Sequence, residues 1–96
     1  MINLNQIADE CRKTAIKRKK IHERLNHWDA VVSLNEELSE YKAASEFSSS
    51  EHLPEYTEAQ EELADILIVC LTELNRRGVD IESIIKKKLS FNQNRQ

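Results

Sequence analysis

Apolar residues recur along this chain at helical spacing. Leu4, Ile7, Ala8, Cys11 and Ala15 fall three and four apart, the repeat of one helix face. They predict a first helix that starts at Asn3 or Asn5, either of which can cap it, and ends near Leu25–Asn26. Val31, Leu34, Leu38 and Tyr41 predict a second helix from about Trp28–Asp29 that fades into Ser45–Leu53, where Ser48-Ser49-Ser50 is loop-like. Pro54 suits the first turn of a third helix, where its missing N–H costs nothing. That helix carries Ala59, Leu63, Ile66, Leu67, Cys70, Leu71 and Leu74, and Gly78 stands where a left-handed stop belongs. Asp80 can cap a fourth helix with Ile81, Ile84 and Ile85 on its inner face.

Composition narrows the fold class to all-α. One Gly and one Pro in 96 residues cannot supply the turns of a sandwich or barrel, and a lone Gly78 cannot build a Gly-rich phosphate loop. A four-helix, bundle-like arrangement in a single domain over residues 1–96 is the expectation. Such a chain buries only about 60–65% of its unfolded surface. Ile68 and Val69 lie off the stripe of helix three, so its centre is apolar nearly all round. A helix of that kind is buried on more than one side, either by a second subunit or by the other three helices. The longest apolar run, Ile66–Leu71, is six residues, far short of the roughly 20 that span a bilayer. No secretory signal is visible at the N-terminus, and Cys11 and Cys70 lack CxxC spacing. The reading is a cytoplasmic protein with free thiols and no membrane partner.

The net charge of −3 gives no support to stable nucleic-acid binding, yet it hides a pattern. Residues 1–30 hold seven Lys/Arg and four Asp/Glu, a balance of +3. Residues 31–65 hold ten Asp/Glu and only Lys42, a balance of −9, and residues 66–96 return to +3.

The acidic residues are placed in register with the core. Glu37 and Glu40 share a face of helix two, with Glu37 about 60° from Leu34 at the edge of the apolar stripe and Glu36 the most exposed of the three. Glu62 and Asp65 repeat the arrangement on helix three. If the two helices pack side by side, Glu37, Glu40, Glu62 and Asp65 converge. Carboxylates at that range stay partly protonated unless a cation holds them, and all-oxygen ligation suits Mg²⁺ or Mn²⁺. The bland counterpart is a solvated acidic face on good helix formers. On helix four, Ile81, Ile84, Ile85, Lys88, Asn92 and Arg95 fall on one stripe. Lys and Arg there are phosphate partners, or simply cations favoured by a helix C-terminus. The cluster Arg12, Lys13, Lys17, Arg18, Lys19, Lys20 steers an anion or forms a solvated face. His22, His27 and Trp28 mark the junction of helices one and two, where Trp28 either stacks on a base or packs as core.

Glu36-Glu37-Leu38-Ser39-Glu40, followed after 21 residues by Glu62-Leu63-Ala64-Asp65, resembles the EExxE…ExxD signature of the MazG-like, all-α nucleoside triphosphate pyrophosphatases. The ending Lys86-Lys87-Lys88-Leu89-Ser90-Phe91-Asn92-Gln93-Asn94-Arg95 resembles that family's C-terminal Lys…Asn…Arg helix. The resemblance spans roughly residues 5–95. It implies a homodimer or homotetramer of four-helix bundles that hydrolyses a nucleoside triphosphate to monophosphate and pyrophosphate with Mg²⁺, or with Mn²⁺. By position it makes Glu37, Glu40, Glu62 and Asp65 metal ligands. Glu36 or a ligand such as Glu37 would orient or deprotonate the attacking water, and Lys88, Asn92 and Arg95 would contact the triphosphate or sugar. The rival expectation is a non-catalytic helical interaction protein or a nucleotide sensor.

Overall fold

The computed structural model describes residues 3–18 and 27–95. It holds four helices, α1 (Leu4–Lys17), α2 (His27–Ala43), α3 (Glu58–Arg76) and α4 (Ile81–Asn94). Among the described residues there is no strand, only an isolated bridge between Ser49 and Thr57. The first helix ends at Lys17 with Arg18 as its C-cap, short of the expected end at Leu25–Asn26, which lies with Lys19, Lys20 and His22 outside the described residues. The chain divides into two compact units, one formed by Met1–Ile21 with Leu71–Gln96 and the other by His22–Cys70.

The first unit is built on Ala8, Leu71 and Ile81, with Leu4, Cys11 and Leu74 packed against them. Polar pairs tie the starts of its helices together. Asn3 caps α1 in a reciprocal box with Gln6, which leaves Asn5 free for another task. Its Oδ1 accepts from Ile81 N at 2.8 Å and its Nδ2 donates to Asp80 Oδ1 at 3.1 Å. Asp80 in turn caps α4 by accepting from Ser83 N. Glu82 Oε1 accepts from Leu4 N at 3.2 Å, a carboxylate on one of α1's unpaired first-turn donors. Gly78 closes α3 at φ 71°, a conformation that L-side chains resist, while Val79 N donates back to Leu74 O.

The second unit contains α2, the connection that follows it, and α3 as far as Cys70. The connection is stitched onto the first turn of α3. Ala59 N donates to Ser45 O and Glu58 N to Ser48 O, each at 3.0 Å. Thr57 and Gln60 form a second capping box, Gln60 N donating to Thr57 Oγ1 and Thr57 N to Gln60 Oε1. All four of α3's first donors are thereby paired, since Glu61 N donates to Thr57 O. Pro54 therefore does not open α3. It sits second in the turn closed by Tyr56 N and Leu53 O at 2.9 Å, where the fixed φ of proline is equally at home.

Burial along α3 departs from the expected stripe. Leu71 is buried and Ile66, Cys70 and Leu74 are half-buried, but Leu63, Leu67 and Ile68 are 49%, 55% and 44% exposed. No residue of α2 is fully buried. A unit consisting of one helix, a connection and part of a second helix has too little apolar surface to cover both faces of α3. The free thiols of Cys11 and Cys70 are half-buried rather than buried, and that burial pushes both up from the ordinary thiol range.

Candidate metal centre

The residues of the centre all belong to the second unit. One turn of α2 separates Glu37 from Glu40, and one turn of α3 separates Glu62 from Asp65, so each helix presents a carboxylate pair on one face. Carboxylate oxygens of Glu37, Glu40 and Glu62 all lie within 4.8 Å of one another, and so do those of Glu61, Glu62 and Asp65. Glu62 belongs to both sets and is the hinge of the cluster.

The electrostatics follow from that crowding. The Glu37 carboxyl is pushed up to about 7, first by burial and then by the charges of Glu40 and Asp65. Glu62 is raised for the same reasons, burial first and then Asp65 and Glu40. Glu37 Oε2 and Glu62 Oε2 are buried and accept no hydrogen bond. Buried acceptors are normally paired, and each of these two oxygens belongs to a residue of the carboxylate cluster, an all-oxygen donor set of the kind a hard divalent cation takes. The residues present fit Mg²⁺ or Mn²⁺.

The other expected site residues are placed differently. Glu36 is exposed on α2 and belongs to neither carboxylate set. Trp28 is 70% exposed, with its ring edge-on to His27 at 5.3 Å, so it is not a core anchor. Lys88, Asn92 and Arg95 are exposed in the first unit. Lys88 Nζ rests 4.7 Å above the Phe91 ring, a cation–π contact. Arg95 departs from the stripe drawn for it, because α4 ends at Asn94 and Arg95 takes an extended conformation at φ −91°, ψ 147°.

The structure adds residues that periodicity passed over. Glu61 joins Glu62 and Asp65, and its own carboxylate is held by Ser50 and His52. Its neighbour Glu62 drew attention by bordering the apolar stripe, whereas the role of Glu61 depends on a serine eleven residues upstream. An open cleft of about 280 Å³ lined by Tyr41, Lys42, Ala44, Glu46 and Ala59 lies at the end of α2. No helix among the described residues is long and apolar enough to cross a membrane. No family model, curated protein or solved structure matches this chain.

Proposed function

We propose that this chain is a Mg²⁺-dependent nucleoside triphosphate pyrophosphohydrolase of the MazG-like kind, acting as a homo-oligomer. The observation that carries this reading is the carboxylate cluster, in which Glu37 and Glu62 each leave a buried oxygen without a hydrogen bond. Glu37, Glu40, Glu62 and Asp65 hold the cation. When bound, it supplies positive charge that polarises phosphoryl oxygens and lowers the pKa of water. The chain's own residues do the rest. Glu36 or Glu37 orients a water toward the α-phosphorus and accepts its proton as general base. Lys88, Asn92 and Arg95 are assigned to the triphosphate or sugar by the resemblance of the C-terminal helix, and Trp28 offers a face for a base. Water adds to the α-phosphorus, the phosphoanhydride bond breaks, and nucleoside monophosphate and pyrophosphate leave.

Oligomerisation is supported by the half-exposed Leu63, Leu67 and Ile68 of α3, a dimer or tetramer being the natural way to cover them. The same surface favours one alternative, a helical interaction protein in which the acidic cluster is only a solvated face. A pyrophosphate-release assay over a panel of standard and modified nucleoside triphosphates, with Mg²⁺ or Mn²⁺, decides. The enzyme reading expects turnover of at least one. Absence of turnover by folded protein, together with a melting temperature indifferent to metal plus nucleotide, would leave the interaction protein standing.

A further inference from the structure

Charge divides between the two units more sharply than along the sequence. The unit of Met1–Ile21 and Leu71–Gln96 carries twelve Lys/Arg and five Asp/Glu, a balance of +7. The unit of His22–Cys70 carries two Lys/Arg and twelve Asp/Glu, a balance of −10. Each unit also leaves apolar surface uncovered. In the basic unit, Ile81 is the fully buried residue of α4. Beyond it Ile84, Ile85, Leu89 and Phe91 are 43%, 38%, 54% and 57% exposed. At about 100° per residue, Leu89 and Phe91 stand roughly 80° to either side of Ile81 and widen its face. From Ile84 to Arg95 the chain holds Lys86, Lys87, Lys88 and Arg95 and no Asp or Glu. In the acidic unit, Val32 and Leu38 of α2 and Leu63, Leu67 and Ile68 of α3 are half-exposed.

We propose that the exposed face of α4 is a docking surface for a second copy of this chain, and that it seats on the apolar surface of that copy's acidic unit, at Leu63, Leu67 and Ile68. The inference rests on the homo-oligomer proposed above and assigns its surfaces, α4 against α3 rather than α3 against α3. Charge decides between them. Two α3 faces brought together would set one unit of −10 against another, and like charges across an interface cost affinity. Seating α4 on the acidic unit joins opposite charges and buries apolar residues of both copies at once. Lys88 argues against a lipid surface as the occupant. It lies on the apolar stripe with Ile84 and Ile85, its Nζ 4.7 Å above the Phe91 ring, whereas helices that lie in a membrane interface keep their cations on the opposite, polar face. A cation among apolar residues suits a protein surface that carries both carboxylates and apolar side chains. Nucleic acid fits less well, because a phosphate backbone gives Ile84, Ile85 and Leu89 nothing to bury against.

Sedimentation velocity of the purified full chain at about 50 mM and about 500 mM NaCl tests this, the two salts lying on either side of physiological screening. Wild type should be oligomeric at the lower salt, and its dissociation constant should rise at least about tenfold at the higher. Lys86→Glu/Lys87→Glu changes two exposed positions outside the proposed site. It should weaken association at least about tenfold at low salt, with helical circular dichroism retained. Leu67→Lys should do the same from the receiving side. Mixed together, the two variants should associate again. The intact α4 of the second then meets the intact α3 of the first, and the reversed charges of the first meet the introduced lysine of the second. An α3-on-α3 contact gives another pattern, in which the α4 variant associates like wild type and mixing adds nothing. Either of those results overturns the inference and leaves the homo-oligomer standing. A wild-type oligomer indifferent to salt does the same, and it decides even if the α4 variant does not fold. A wild type that is monomeric at both salts removes the homo-oligomer and the inference together, and co-sedimentation of that monomer with phosphatidylglycerol vesicles would give α4 to a lipid surface instead.

Discussion

Glu37 carries the sharpest consequences at the scale of a single residue. Its carboxyl titrates near 7 in the folded chain against an ordinary value of 4.5, so between those values the folded state binds more protons than the unfolded state. Stability then falls as pH rises. In metal-free protein the melting temperature should decline from pH 5 to pH 7.5, and saturating Mg²⁺ with nucleotide should flatten or reverse that slope. A scan without and with the cation reads this directly. Metal binding should also release protons near neutrality, more at pH 6.5 than at pH 8, because the ligand must be ionised. Calorimetry in two buffers of different ionisation enthalpy counts them. Glu37→Gln should lower turnover about 100-fold or more while leaving metal-free stability at pH 7.5 equal or higher, since it removes a source of repulsion. Equal turnover in that variant would end its role in the site.

Helix ends dominate at the scale of the element. Thr57 and Gln60 form a box that opens α3, and Asn5 spans from α1 to the first turn of α4. Thr57→Ala should cost about 1 kcal/mol, the usual worth of an N-cap. Because Thr57 caps the helix that carries Glu62 and Asp65, metal affinity should fall with it. Asn5→Ala strips a partner from Ile81 N and should cost about 1–2 kcal/mol. It should leave the metal response untouched, since Asn5 and the cluster belong to different units. Chemical denaturation of the two variants, each with and without Mn²⁺, separates a cap that serves the fold from one that also serves the site. At Gly78 a Cβ would meet nothing within 4 Å, so Gly78→Ala should cost only the roughly 1–2 kcal/mol of a left-handed alanine.

At the scale of the whole molecule the fully buried core is small. Ala8 and Ile81 are sealed, with Leu71 nearly so, while Leu67, Trp28 and Val32 remain more than half exposed and Leu63 just under half. Ile81→Ala should cost about 2–5 kcal/mol, a large share of the stability of a domain this size. If α3 is covered by a second copy, Leu67→Lys should shift the sedimentation of the protein toward monomer without loss of helical circular dichroism. An unchanged, monomeric wild type would remove the oligomer from the proposal.

Much of this was legible in the residues, for identifiable reasons. Periodicity of 3.6 located α2, α3 and α4, because apolar spacing reports local geometry that needs no partner. Asp80 and Gly78 were readable because caps and left-handed stops act within a few residues. The pairing of Glu37 with Glu40, and of Glu62 with Asp65, followed from the helical repeat alone. Other features required the folded chain. Pro54 suited both a helix start and a turn, and only the hydrogen bond from Tyr56 N to Leu53 O chose between them. Asn3 and Asn5 were equivalent as caps until Ile81 N claimed Asn5. The meeting of the two acidic pairs, the shared position of Glu62 and the capture of Glu61 by Ser50 depend on how the connection folds back on α3. Short-range order is written in neighbouring residues, whereas contacts between distant residues form only when tertiary folding brings their backbones together.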